Sequence, residues 1–206
     1  LSYVDTKKFG FAELSNAINI YTGGISTGAS VHPNIKEPED LVVNYEIRIK
    51  VLEENLINAL SIVNEILGES RFDDVKRLRE IVAQTKARLQ SSLSSAGHTV
   101  ASMRSMAKFS KYAYYQDALH GIAYYNFICQ IETELMENAD AVVASIKALA
   151  EKLFTSDRLL ISFTGNKESL DKAVPVLTDY MSKLGKSEQK DGACELKSHA
   201  RTIELA

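Results

Sequence analysis

Imidazole is both a metal ligand and a proton carrier, so the four histidines, at positions 32, 98, 120 and 199, are the first residues to weigh. No two stand four residues apart, the spacing that sets two imidazoles on one helix face. Neither H-x-x-E-H nor H-x-x-x-H occurs. His98 and His120 could ligate a metal only if the fold gathered them with carboxylates. For His98 the plainer expectation is a polar residue at a helix junction, where its ring can bond open backbone groups. The two cysteines, Cys129 and Cys194, lack C-x-x-C spacing and read as free thiols. From these spacings we expect no catalytic residue, no metal ligand and no cofactor in this chain.

Gly24-Ile25-Ser26-Thr27-Gly28 matches G-x-S-x-G, the pattern of a nucleophile elbow. An elbow needs a strand before the serine and a helix after it. Here the helical pattern comes first and an extended segment follows, so Ser26 is not expected to act as a nucleophile. The same glycines precede no Lys-Ser/Thr and no helix start, which argues against a phosphate loop. Thr22, Gly23, Gly24, Ile25 and Ser26 are read instead as a structural stop between a helix and a strand. Tyr112, Tyr114, Tyr115, Tyr124, Tyr125 and Phe127 form an aromatic group with few basic residues beside it beyond Lys108 and Lys111. Helix packing is the expected role, not base stacking. Asp73-Asp74 suit a helix start, where carboxylates favour the helix dipole.

The elements that must carry these residues follow from periodicity. Phe11 to Tyr21 places Leu14, Ile18 and Tyr21 at helical spacing, and the glycines end the helix. Ile25 to Val31 suits a strand, and His32 to Asp40, with Pro33 and Pro38, a loop. Leu41 to Val51 alternates: Leu41, Val43, Tyr45, Ile47, Ile49 and Val51 on one side, Asn44, Glu46, Arg48 and Lys50 on the other. That is a strand with one wet face, which favours antiparallel pairing. Tyr45, Ile47 and Ile49 are expected to face helices, and Arg48 and Lys50 solvent.

Helices are predicted from Leu56 to Gly68 and from Asp73 to about Ser95, the second broken at Gly97-His98. Further helices are expected over Thr99 to Phe109, Tyr115 to Asn138 and Ala139 to Phe154. A short strand is predicted over Leu159 to Phe163 and a last helix over Lys167 to Leu184, with Pro175 as a kink point. The order implies an α+β fold, an antiparallel sheet with helices packed mainly on one face. Residues 1–184 read as the domain and 185–206 as a polar tail or linker.

The net charge of −3 over 206 residues disfavours nucleic acid, which needs a concentrated basic surface. No apolar run approaches the roughly 20 residues of a membrane span. The chain opens at Leu1 with no initiator Met and no signal pattern, and is expected to belong to a longer protein.

Several stretches, taken in order, resemble the presequence-protease branch of the insulinase (pitrilysin-like) zinc metallopeptidases. They are Asp5-Thr6-Lys7-Lys8-Phe9 running into Glu13-Leu14, then Thr22-Gly23-Gly24-Ile25-Ser26, Leu41 to Leu52, and Arg71-Phe72-Asp73-Asp74 with Lys76-Arg77-Leu78. Gln84-Thr85-Lys86-Ala87-Arg88-Leu89 follows, then Ser94-Ser95-Ala96-Gly97-His98-Thr99-Val100-Ala101, and last Ser162-Phe163-Thr164-Gly165.

The resemblance runs over roughly residues 4–184. It implies the third of four related domains, in the half that lacks the zinc motif, with a first strand and helix lying upstream. In such clamshell enzymes the first half holds zinc through H-x-x-E-H, whose Glu activates water. The second half closes over unfolded peptides, and its active-site Arg and Tyr belong to the fourth domain. Gly97 and His98 correspond to the family's Gly-His junction. The implied partners are the other domains and peptide substrates, with zinc held elsewhere in the parent. Self-association through an incomplete sheet and a cytoplasmic setting are further expectations. A stand-alone binding or scaffold module of the same superfamily is the alternative.

Overall fold

The structure, a computed structural model, describes residues 3–37 and 40–183. Cys194, His199 and the segment 185–206 lie outside the described residues. The fold is α+β, with helices dominant and one two-stranded antiparallel ribbon. The order is α1 (Phe11–Tyr21), β1 (Ile25–Pro33), β2 (Leu41–Ile49), α2 (Leu56–Gly68), α3 (Val75–Ser95), α4 (Gly97–Met106), α5 (Lys111–His120), α6 (Ile122–Glu137), α7 (Ala139–Leu153) and α8 (Lys167–Lys183). The chain divides into two compact units. One comprises residues 1–26, 47–75 and 140–192; the other comprises 27–46, 76–139 and 193–206.

In the first unit, α1 starts where two carboxylates meet its open N–H groups. The Phe11 N–H donates to Asp5 Oδ1 at 2.7 Å and the Gly10 N–H to Glu13 Oε2 at 3.1 Å. The segment before α1 is tied to the segment after α2 by an antiparallel bridge between Thr6 and Ser70. Leu14 and Ala17 of α1 pack on Ile62 and Ile66 of α2, with Phe9, Ile18 and Ile25 around them. Burying Leu14 and Ile66 this completely stabilises the unit by about 2–3 kcal/mol for each side chain.

The exit from α1 depends on glycine at one position. Gly24 has φ +120°, a region that a side chain rarely enters. At the base of the ribbon the Gly23 N–H donates to Lys50 O at 2.7 Å, and the Lys50 N–H donates to Gly24 O at 3.2 Å. Two residues of one strand thus oppose one of the other, as in a bulge. Gly24→Val is expected to cost about 1–3 kcal/mol from backbone strain alone, since open space surrounds the missing Cβ. A denaturant titration in which this variant unfolds with the parent would contradict that account.

Also in this unit, Glu53 accepts from Ser169 Oγ at 2.9 Å and from Lys172 Nζ at 2.7 Å. These bonds hold its carboxyl below the ordinary value of 4.5, the Lys172 bond first. A depressed folded pKa stabilises the fold above the ordinary value, and that contribution is lost as pH falls through the depressed one. The parent is therefore expected to exceed Glu53→Gln in stability at neutral pH, with the gap closing in acid. Urea midpoints for both proteins at about pH 7 and about pH 3 read this out.

In the second unit, α3 and α6 run antiparallel. Arg79 Nη2 donates to Leu135 O at 2.9 Å, satisfying a carbonyl of the last turn of α6, and Lys86 Nζ meets Glu132 Oε2 at 2.5 Å. Leu78 and Leu89 of α3 and Ile128 and Leu135 of α6 are buried. The Ser110 Oγ caps α5 by accepting from the Ala113 N–H at 3.3 Å.

Three expectations need correction. His32 and Pro33 belong to β1, because the ribbon continues to a tip closed by the Asn34 N–H donating to Asp40 O at 2.8 Å. On β2 the alternation holds, but burial is incomplete. Ile47 and Ile49 are half-buried, whereas Val43 and Tyr45 stay 45% and 37% exposed. An isolated pair of strands gives its apolar face less cover than a wider sheet would. Finally, Leu159–Phe163 forms no strand: it has no partner strand among the described residues.

Candidate functional site

The ribbon sorts its side chains by parity. Val31 is buried and Ile25, Thr27, Ile47 and Ile49 are half-buried on one face. Ser26, Ser30, His32, Asn44, Glu46 and Arg48 fall on the other, through the period-two alternation of strands. On that polar face the Ser30 Oγ donates to Glu46 Oε1 at 2.5 Å, and His32 Nε2 lies 3.1 Å from the same oxygen. A protonated His32 adds an ion pair to this bond.

The arrangement is not a serine-nucleophile triad. In a triad the imidazole takes the serine proton, whereas here serine and histidine both address one carboxylate oxygen. What the face offers is a row of hydroxyl, amide, carboxylate and guanidinium groups beside extended backbone, suited to hydrogen-bonding a peptide chain.

The residues singled out from sequence fall in two places. Thr22, Gly23 and Gly24 form the turn from α1 into β1, where the Thr22 Oγ1 donates to Ile18 O at 2.7 Å and accepts from the Gly24 N–H at 3.1 Å. Ile25 and Ser26 open β1, so a helix precedes Ser26 and no helix follows directly. Gly97 and His98 open α4 after the break at Ala96. His98 is exposed, and its ring makes no hydrogen bond among the described residues. His120 ends α5 and is exposed. The fold does not gather these histidines with carboxylates: among the described residues no three His, Cys, Asp or Glu side chains converge to hold a metal. This donor set does not fit a zinc centre.

Sequence reasoning missed one buried ionic group. Asp117 of α5 is 1% exposed; its Oδ2 receives Arg104 Nη1 of α4 at 2.5 Å, and its Oδ1 has no partner. Gly121 lies against it at the α5–α6 junction. A methyl group built there would sit 2.1 Å from Asp117 Oδ1 and 3.0 Å from its Cα. The one signal in the sequence was the Asp-x-x-x-Gly spacing within an otherwise helical stretch.

The class that these features define is an α+β domain presenting a hydrogen-bonding face, with no metal-ligand cluster among the described residues. The model of the peptidase-associated family, subfamily C of the insulinase-like peptidases, matches residues 1–131, and the chain belongs to that family. It is 31% identical over 166 residues to Protein HypA of Clostridium perfringens, covering 81% of this chain and 17% of that protein. It is 22% identical over 182 residues to Presequence protease 1, chloroplastic/mitochondrial, of Arabidopsis thaliana, covering 87% of this chain and 16% of that one. The mitochondrial Presequence protease of Yarrowia lipolytica is 22% identical over 159 residues, 77% of this chain and 16% of that protein. The chain spans about a sixth of the length of these curated relatives.

Proposed function

We propose that this chain is a non-catalytic, chamber-forming domain of a zinc-dependent metalloendopeptidase that degrades unfolded peptides. One observation carries the reading: proteins named presequence protease match more than three quarters of the chain, yet devote only about a sixth of their length to the match. The family match, to a peptidase-associated domain, agrees with it. In this reading the zinc and the carboxylate that activates its water lie in another domain of the same polypeptide. The partners of this chain are those domains and the peptide, and the polar face of the ribbon looks into the chamber.

The test expresses the full reading frame and the chain separately and offers each an unstructured peptide. The full polypeptide should cleave it, lose activity to a chelator and recover it with zinc. The chain alone should leave the peptide intact. Cleavage by the chain alone overturns the proposal. Binding without cleavage by a full polypeptide selects a stand-alone binding or scaffold module instead.

A further inference from the structure

We infer that Leu159–Phe163 is a docking edge for a β-strand supplied by the same polypeptide from outside this chain; this rests on the reading that the chain is one domain of a longer peptidase. The segment is apolar, Leu-Leu-Ile-Ser-Phe, and its burial alternates. Leu159, Ile161 and Phe163 are half-buried, Ser162 is exposed and Leu160 is 89% exposed. Period-two burial marks an extended strand lying with one face on its own domain.

Both ends are anchored. The Leu159 N–H closes a turn onto Ser156 O, and Leu159 has φ −87° and ψ 125°. The Phe163 ring lies over Gly165, and Asn166 Oδ1 accepts from the Ser169 N–H at the start of α8. Between these anchors, the N–H and C=O groups of Leu160, Ile161, Ser162 and Phe163 have no hydrogen-bond partner in the described protein. Extended apolar backbone with bare donors and acceptors is the form that accepts a further strand.

Three occupants compete. A substrate peptide comes and goes, leaving Leu160 and the bare edge in water between visits. A second copy fills the edge only above a threshold concentration. A strand of the same polypeptide is always present at high effective concentration. The relatives point the same way. An alignment covering 87% of this chain must include residues 159–163, and in that protein the match is 16% of the length. The segment therefore sits within a chain about six times as long, with ample sequence to supply the strand.

Hydrogen–deuterium exchange on the full polypeptide tests this. The amides of residues 160–163 should exchange at least about 100-fold more slowly than in the excised chain, at low protein concentration and without peptide. Ile161→Pro, which removes one ladder donor, should abolish that protection in the full polypeptide and leave exchange in the excised chain unchanged. Equal exchange in both proteins overturns the inference. So does protection that appears only with added peptide, or only as concentration rises. A full polypeptide that cleaves peptides with these amides unprotected keeps the proposed function and removes this inference. Protection in a polypeptide without peptidase activity does the reverse.

Discussion

Gly121→Ala should lower the stability of the helical unit by about 3 kcal/mol, a large effect for one methyl group. The added Cβ would meet Asp117 Oδ1 at 2.1 Å and Asp117 Cα at 3.0 Å. Neither contact relaxes cheaply. Asp117 is fully buried with one oxygen held by Arg104, and its Cα is fixed by the last turn of α5, whose Asp117 O accepts from the Gly121 N–H at 2.9 Å. The α5–α6 junction must open to admit the methyl. Equilibrium urea unfolding followed by circular dichroism measures the loss. Asp117→Ala placed on top of Gly121→Ala should recover part of it, because the clash is with that side chain. A change within a few tenths of a kcal/mol would mean that the junction yields freely.

Arg104→Ala comes next. It strips Asp117 of the partner of its Oδ2, and its Oδ1 already has none. Removing one member of a buried pair typically costs about 3–5 kcal/mol. Here the Arg104 side chain is 51% exposed and partly screened, so about 2 kcal/mol is expected. Asp117→Asn should hurt the parent background but help the Arg104→Ala background, since a neutral amide tolerates burial without a cation. A double-mutant cycle over the four proteins should give strong non-additivity. Additive losses would show that the two side chains stabilise their helices independently.

Local pattern read some parts of this fold well and others poorly, for physical reasons. The bounds of α1 were legible because its apolar spacing ends in Thr-Gly-Gly, and φ +120° at Gly24 explains that ending. The two faces of β2 were legible from parity. How far the apolar face is covered was not, because cover depends on what lies against the strand and not on the strand itself. The helical stretch from Gly97 to Asn138 was harder. It divides at Ser110, whose hydroxyl caps α5, and at Gly121, which packs on Asp117.

Both breaks depend on tertiary contacts that periodicity does not register, as does the pairing of Arg104 with Asp117 from separate helices. The convergence of Ser30 and His32 on Glu46 needed the ribbon's register, although the shared parity of the three residues was visible. Leu159–Phe163 carries a strand-like sequence without a strand, since β structure exists only between partners.

If the polar face of the ribbon lines a peptide chamber, a bound peptide must come within reach of Asn44 and Arg48. A photo-crosslinking residue is placed at either position in the full polypeptide and irradiated with an unfolded peptide bound, and the adducts are located by mass spectrometry. Peptide adducts are expected at both positions, competed away by excess unlabelled peptide. A polypeptide that cleaves the same peptide yet gives no adduct from either position would contradict the assignment of this face to the chamber.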